Sequence, residues 1–268
     1  MFKTMILMFG FVILPASTCM AEPTIEWERC FGGSNLDGVM SVQQTRDGGY
    51  ILAGYSMSSD GDLSQNRGNF DAWVIKLKED GTLDWQKSYG GSGRDTVHSV
   101  QQTDDGGYIV AGGSDSKDGD VSGNHGSNDF WVIKLTVSGE IEWQRSLGGS
   151  GDDLAWSAQQ TDGGGYIVAG RSDSRDGDVS GNHRDWDFWV VKLKPGGELE
   201  WEKSLGGSRF DVAESIRQTS DRGYILAGDT LSRDGDVSQT HGGEEFWVVK
   251  LKEDGTLEWE KCLGGSES

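Results

Sequence analysis

Five tryptophans at one constant spacing constrain the fold of this chain more than any other feature of its sequence. Consecutive members of the series lie 58 residues apart, and aspartates and tyrosines recur at the same interval. A fixed period of this length indicates one supersecondary unit that is copied several times along the chain. The three series are Trp27, Trp85, Trp143, Trp201 and Trp259; Asp37, Asp95, Asp153 and Asp211; and Tyr50, Tyr108, Tyr166 and Tyr224.

One unit, taken from the second copy, contains four segments with the pattern of β-strands. These are 97–103 (VHSVQQT), 108–112 (YIVAG), 130–135 (FWVIKL) and 140–147 (EIEWQRSL), and the first two are separated by the hairpin-turn signal Asp-Asp-Gly-Gly. Four antiparallel strands in meander order are the composition of a propeller blade. The predicted fold is therefore all-β: a small β-propeller of four four-stranded antiparallel blades with one surplus terminal strand.

Two sequence pieces of the unit resemble known propeller repeats. The pieces W-x-x-x-L-G-G-S-x-x-D and D-G-G-Y-I-V-A-G are similar to secreted β-propeller repeats of the SBBP and delta-60 types over about residues 25–268. The stretch 246–259 (FWVVKLKEDGTLEW) is also similar to the strand-turn-strand of quinoprotein propellers, whose tryptophans dock neighbouring blades. The resemblance implies a docking role, and not a cofactor-binding one, for Trp85, Trp143 and Trp201.

The repeat divides the chain into a leader and one propeller domain. We expect a signal peptide over 1–21 and a single β-propeller over 22–268, with repeat units at about 34–91, 92–149, 150–207 and 208–265. Residues 25–31 match 257–263, which form the last strand of a blade, and therefore provide a seventeenth strand that could close the ring.

Two cysteines occupy the same position in the two terminal strands. Cys30 and Cys262 are separated by four repeat lengths, whereas the middle copies carry serine there. We expect these strands to lie side by side, with a Cys30–Cys262 disulfide that locks the closure, because neighbouring strands have a suitable separation. Two free thiols are one alternative. In another, the spare strand adds to the edge of a second molecule, which gives self-association.

The first residues have the pattern of an export signal. Lys3 precedes an apolar run over 5–14, and small residues near Ala21 provide a cleavage site. We therefore expect a secreted or cell-surface protein, extracellular or periplasmic, with no membrane insertion after signal cleavage. The alternative is a lipoprotein that is acylated at Cys19.

The charge of the chain excludes some partners. The formal net charge is −20, so the surface repels phosphate backbones, and we expect no nucleic-acid binding. Divalent cations and an uncharged or cationic partner, a protein or a carbohydrate, fit this surface better.

Acidic loops between the second and third strands of each unit are candidate calcium sites. Oxygen-bearing side chains at alternate positions around an Asp-Gly turn can surround one hard cation, and calcium requires six to eight such ligands. The alternative is a long hairpin loop with solvated carboxylates. The predicted calcium ligands are Asp118, Asp120, Ser122, Asn124 and Asp129 in the second copy; Asp176, Asp178, Ser180, Asn182 and Asp187 in the third; and Asp60, Asp62, Asp234 and Asp236 in the outer copies.

No set of catalytic residues stands out from the repeat. Residues that break it include Trp156 and Trp186, which could form an aromatic patch for a sugar or a protein. Lysines recur inside the apolar strands, and we expect each ammonium to pair with a nearby aspartate. The favoured function is a non-enzymatic binding or scaffold module whose acidic loops are stabilised by calcium. The alternatives are an extracellular polysaccharide hydrolase or lyase with channel-mouth carboxylates, and a structural subunit of a surface layer or filament.

Overall fold

A computed structural model describes residues 24–63 and 65–265 of the chain. The predicted signal peptide over 1–21 and the alternative acylation site at Cys19 lie outside these residues. The described residues form sixteen strands and no helix, so none of them belongs to a helix that could cross a bilayer. The strands are β1 (Asp37–Gln44), β2 (Tyr50–Ser56), β3 (Asp71–Leu77), β4 (Leu83–Tyr89), β5 (Asp95–Gln102), β6 (Tyr108–Ser114), β7 (Asp129–Leu135), β8 (Ile141–Leu147), β9 (Asp153–Gln160), β10 (Tyr166–Ser172), β11 (Asp187–Leu193), β12 (Leu199–Leu205), β13 (Asp211–Gln218), β14 (Tyr224–Thr230), β15 (Glu245–Leu251) and β16 (Leu257–Leu263).

The strands are grouped into four antiparallel sheets in sequence order, which we call blades 1 to 4. Blade 1 contains β1–β4, blade 2 contains β5–β8, blade 3 contains β9–β12, and blade 4 contains β13–β16. Within each blade the chain forms a meander, as the repeat predicts. The predicted all-β fold with four four-stranded blades is confirmed.

The first hairpin of each blade closes through the predicted turn. In blade 2 the N–H of Thr103 donates to the carbonyl of Gly107, and the N–H of Gly106 donates back to the carbonyl of Thr103. Gly106 has φ +86°, a conformation that side-chain-bearing residues rarely adopt, which explains the glycine in the Asp-Asp-Gly-Gly signal.

Neighbouring blades pack through aromatic side chains. Phe130 of blade 2 lies 4.5 Å from the ring of Trp189 in blade 3, and both side chains are fully buried. Trp143 of the outer strand β8 contacts Tyr166 on the second strand of the next blade edge-to-face at 5.5 Å. The corresponding pairs recur at the other junctions, so the docking role implied for Trp85, Trp143 and Trp201 agrees with where they lie.

The inner strands of neighbouring blades are also joined by glutamine side chains. The Gln101 side-chain oxygen accepts the backbone N–H of Gln160 in the next blade, at 2.8 Å. In return, the Gln160 side-chain oxygen accepts the backbone N–H of Asp104, also at 2.8 Å. These reciprocal bonds satisfy backbone groups that no ladder reaches, and they fix the distance between blades.

Blade 4 and blade 1 do not pack on each other. Val39 and Val42 of β1 are 61% and 63% exposed, whereas their counterparts Val97 and Val100 in β5 are buried under blade 1. Residues 25–31 pack on blade 1 outside the strand ladders, with Trp27 at 5.5 Å from Tyr50. The described part of the four-bladed array is therefore open between its last and first blades.

The two terminal cysteines lie apart, Cys30 in the segment that packs on blade 1 and Cys262 in blade 4, and they form no disulfide in the structure. Cys30 is exposed in the segment that covers blade 1, and Cys262 is buried in β16 opposite Trp247. The predicted side-by-side arrangement of 25–31 and β16 is not present, because β16 pairs with β15 alone. The disulfide stays a prediction for a closed form of the ring.

Three of the four buried lysines have the predicted aspartate partners, whereas Lys192 lies 3.4 Å from Glu200 because Gly163 stands where the other copies have aspartate. The ammonium of Lys76 lies 3.0 Å from Asp47, that of Lys134 lies 2.8 Å from Asp105, and that of Lys250 lies 3.0 Å from Asp221. Each ammonium also donates to the carbonyl of the following leucine, which compensates for part of its lost hydration.

The two outer-strand tryptophans of the last blades provide a test of the packing. We expect Trp201→Ala to lower the free energy of unfolding by about 2–4 kcal/mol, because it removes the contact with Tyr224 between blades 3 and 4. Trp259→Ala should cost less than about 1 kcal/mol in dilute solution, because no blade covers that side chain. Equal losses in urea titrations of the two variants would contradict this account.

Candidate functional site

The aspartates that recur in every copy converge on the linker between consecutive blades. Three consecutive backbone N–H groups of each linker donate to three different carboxylates, so the linker is held without a sheet. The same bonds recur at the other two linkers and at residues 32–34 before blade 1. At the linker between blades 1 and 2, Gly90 donates to Asp120 at 3.2 Å, Gly91 to Asp95 at 2.8 Å and Ser92 to Asp118 at 2.6 Å.

We call the hydrogen bonds from the linker N–H groups to the three carboxylates the linker clamps. Eight of the predicted calcium ligands take part in them. The first aspartate of each loop accepts the N–H of the linker serine, and the second accepts the N–H of the first linker glycine. The eight residues are Asp60, Asp62, Asp118, Asp120, Asp176, Asp178, Asp234 and Asp236.

The remaining predicted ligands lie farther along the same loops and have separate partners. Ser122 accepts a hydrogen bond from Gln144, and Ser180 donates to Glu202. The Asn124 and Asn182 amides donate to the carbonyls of Ser114 and Ser172, at 2.8 and 2.7 Å. Asp129 and Asp187 begin the third strand of their blades and accept from His125 and His183. Over 24–63 and 65–265, no group of three or more His, Cys, Asp or Glu side chains is placed to hold a metal ion.

A pair of fully buried carboxyl groups lies at each junction between blades. A Cβ built on Gly148 would lie 3.1 Å from the carboxyl carbon of Asp129 and 3.0 Å from that of Asp153, so only glycine fits between them. Burial raises the pKa of Asp153 to about 6, and the neighbouring Asp129 carboxylate adds to the shift. The pairs Asp71–Asp95 and Asp187–Asp211 repeat this arrangement, with the pKa of Asp71 and of Asp187 also raised by burial to about 6.

One bulged position of each inner strand differs in all four copies. Each inner strand has a β-bulge at the same place, and the extra residue is different in every blade. A bulge leaves its residue outside the ladder and redirects the side chain, which is why bulges recur beside binding sites. The four bulge residues are Met40, His98, Trp156 and Glu214.

His98 and Trp156 form a stacked pair across the junction of blades 2 and 3. Their ring centres are 4.4 Å apart with an interplanar angle of 22°, and His98 Nδ1 lies 2.9 Å from the carbonyl oxygen of Ala155. Burial lowers the pKa of His98, so the imidazole is neutral at pH 7. The result is a stacked aromatic pair of two half-buried side chains that occur once each.

Trp186 belongs to a second cluster, in which a cation lies over its ring. The guanidinium carbon of Arg171 is 3.4 Å from the ring centre of Trp186, and Phe210 packs beside that ring at 4.9 Å. Arg171 also lies 3.8 Å from Asp152, whose pKa is raised by burial. Close contact between a guanidinium and an indole face is a cation–π interaction, which holds both groups in place.

The two predicted patch residues thus lie in one blade, on either side of the strand that carries Arg171. Trp156 is on β9, Arg171 is on β10, and Trp186 immediately precedes β11. We call the unrepeated residues His98, Trp156, Arg171, Trp186 and Phe210 the variable patch. Sequence reasoning missed Arg171 and Asp152, although both occupy positions that differ in every copy, and aligning the four units would have revealed them.

Comparison of the chain with protein-family models and with curated proteins gave no match.

The buried carboxyl pairs predict an unusual pH dependence of stability. A carboxyl group whose pKa is higher in the folded state stabilises the protein below its unfolded pKa of about 3.9, and this contribution is lost as the pH rises through about 6. Hydrogen bonds from Thr45 and Lys76 lower the pKa of Asp47 to about 2, so its contribution is lost only as the pH falls towards that value. We therefore expect the unfolding temperature to rise between pH 7 and about 4.5 and to fall below about 3.

Asp153→Asn tests this expectation, because asparagine keeps an acceptor oxygen but cannot ionise. The variant should show a shallower dependence of unfolding temperature on pH between about 4 and 7. Asp162→Asn, in an exposed turn, is the control and should keep the wild-type profile. Identical profiles for Asp153→Asn and the unmodified protein would refute the assignment.

Proposed function

We propose that this protein is an exported, non-enzymatic binding module that uses its four blades as a frame for the variable patch. The observation that carries the proposal is the division of labour between residues. Repeated aspartates and glutamines bond to linkers and neighbouring blades, and repeated lysines bond within their own blade, whereas aromatic and charged residues that occur once cluster on blades 2 to 4. In repeat proteins, a constant frame that carries variable positions is the usual arrangement of a binding surface.

A carbohydrate fits the chemistry of this patch best. Indole and imidazole rings provide flat apolar surfaces for the C–H face of a sugar ring, and tryptophan is enriched where binding energy is concentrated. Arg171 and Asp152 place a donor and an acceptor beside the rings, and these suit neighbouring hydroxyl groups. A protein ligand is the alternative, and it would use the same aromatic side chains.

Binding to a panel of immobilised extracellular polysaccharides tests the proposal. We expect Trp186→Ala to weaken binding at least about tenfold, which corresponds to about 1.4 kcal/mol for a partly buried aromatic contact. Val137→Ala is the control, since this exposed residue in a turn of blade 2 lies outside the patch, and it should bind as the unmodified protein does. If Trp186→Ala and the control variant bind equally well, the variable patch is not the binding site.

A second candidate function, hydrolysis or lyase cleavage of an extracellular polysaccharide, has its own supporting observation. Burial raises the pKa of three acids that occur once, Asp152, Glu214 and Asp229, and Asp229 adds to the shift of Glu214. Raised carboxyl pKa values are a property of general acids. An assay for new polysaccharide chain ends tests this alternative. If the unmodified protein produces new ends and Glu214→Gln does not, the protein is an enzyme and not only a binding module.

We also propose calcium as a stabilising ion of the acidic loops. Two of the predicted ligand oxygens in blade 2, Oδ1 of Asn124 and Oδ1 of Asp129, are buried without a hydrogen-bond partner. Carbonyl and carboxylate oxygens are the ligands that calcium prefers.

Thermal unfolding in EDTA and in calcium tests this ion. We expect calcium, and not magnesium, to raise the unfolding temperature by several degrees, since a ligand at about 100 times its dissociation constant adds about 2.7 kcal/mol. In the double variant Asp118→Ala/Asp176→Ala the difference between the two conditions should shrink, although the variant is less stable in both. If the unfolding temperature is the same in EDTA and in calcium, these aspartates serve only the linker clamps and bind no calcium.

The secreted or cell-surface location and the kinship with SBBP and delta-60 repeats stay proposals. The location rests on the leader over 1–21, and the kinship rests on the repeated pieces W-x-x-x-L-G-G-S-x-x-D and D-G-G-Y-I-V-A-G.

A further inference from the structure

The outward face of blade 4 is apolar and uncovered. Phe246 of β15 is 68% exposed, and Trp259 and Leu263 of β16 are each 46% exposed. Ala227 of β14 is exposed on the same side of the sheet, because alternate residues of a strand share a face. An uncovered group of large apolar side chains on a sheet face marks an interaction surface.

The internal junctions of the chain show what this face is built to contact. The counterparts one repeat earlier, Ala169, Phe188 and Leu205, are fully buried against blade 4 in one hydrophobic cluster. Phe188 lies 4.6 Å from the ring of Trp247 there. The uncovered face of blade 4 is therefore half of an interface that the chain already forms three times.

The other half of that interface is present on blade 1. Val39, Val42, Tyr50, Leu52 and Trp73 correspond, by the 58-residue period, to the blade 4 residues that receive blade 3. Val39 and Val42 are exposed. The two ends of the array thus carry complementary surfaces.

Residues 24–33 occupy part of the blade 1 surface by imitating an outer strand. Trp27 contacts Tyr50 and lies over Gly81, as Trp85 contacts Tyr108 and lies over Gly139 one repeat later. The substitute is incomplete, since a cavity of about 310 Å³ remains between this segment and blade 1, lined by Val39, Leu52 and Trp73 among others. A real blade would fill that space with a residue such as Phe246.

We propose that the protein associates head to tail, with blade 4 of one copy docked on blade 1 of a second copy and its Trp259 in place of Trp27. This inference rests on the fold and is independent of the ligand of the variable patch. Docking on a second copy leaves the three internal junctions unchanged, whereas closing blade 4 on blade 1 of the same chain would require all three to shift. A heterologous contact of this kind continues as an open chain unless its rotation closes.

The new junction would lack one polar contact that the internal ones have. Arg217 stands in blade 4 where the earlier blades have Gln43, Gln101 and Gln159, so the glutamine bond to the next blade is missing. Copies with a net charge of −20 also repel each other. We therefore expect reversible association that increases with protein concentration and with salt, which screens the repulsion.

Sedimentation velocity with two blocked variants tests the geometry. Phe246→Asp blocks the blade 4 face and Val42→Asp blocks the blade 1 face, so each variant alone should stay monomeric. An equimolar mixture should form a one-to-one dimer and nothing larger, through the one intact face of each. Val137→Asp, at an equally exposed position in blade 2, is the control and should associate as the unmodified protein does.

The two equivalent tryptophans give a second readout with opposite signs. Trp27→Ala should strengthen association because it weakens the competing segment, whereas Trp259→Ala should weaken it. Non-specific hydrophobic association would instead be weakened by both substitutions, in proportion to the apolar area that each removes. The proposal is overturned if the unmodified protein is monomeric at every concentration, if Val42→Asp associates by itself, or if oxidation joins Cys30 to Cys262 within one monomeric chain.

Discussion

The hydrogen bonds from linker amides to aspartate carboxylates are the interaction on which the rest of this structure depends. A linker between two blades has no strand partner, yet its N–H groups are partly buried and require acceptors. Three aspartates from the following blade provide them, one for each of three consecutive amides, as Asp95, Asp118 and Asp120 do for residues 90–92. Because the acceptors belong to one blade and the linker leads from another, the clamp sets the angle at which consecutive blades meet.

This requirement explains why the acidic loops recur without being identical. The first and second aspartates are kept in all four copies because each serves a linker amide. The loop glycine is replaced in the outer copies by Gln65 and Gln239, and Gln239 has φ +58° at the cost of some strain. A cation alone would require a complete ligand set in each loop. A clamp requires only the two carboxylates, and both are constant, as are the glycine between them and the serine that follows.

The sequence was sufficient to predict the elements but not how they are assembled. Strand bounds, hairpin turns and the Lys–Asp pairs follow from period-two alternation, turn chemistry and the cost of burying an ammonium, which are local. The docking role of the tryptophans was implied only by the resemblance to propeller repeats. The partner of Asp118 could not be predicted, because a backbone amide of residue 92 leaves no signature in the sequence. Only part of the variable patch was predicted. Trp156 and Trp186 stand out by residue type, whereas Arg171 stands out only when the equivalent positions of the four copies are compared.

The open end of the array follows from the same junction geometry. Each junction repeats the same clamp, glutamine bonds and aromatic pair, so the angle between blades is set locally and carries no information about the total number of blades. Four equal steps therefore need not bring blade 4 back to blade 1, and here they leave Phe246 and Val42 uncovered. The segment around Trp27 covers part of the face of blade 1 that no other blade contacts. The segment leaves a cavity over Leu52 and Trp73 that a complete blade would fill. Seven residues can replace one strand of a blade but not the other three.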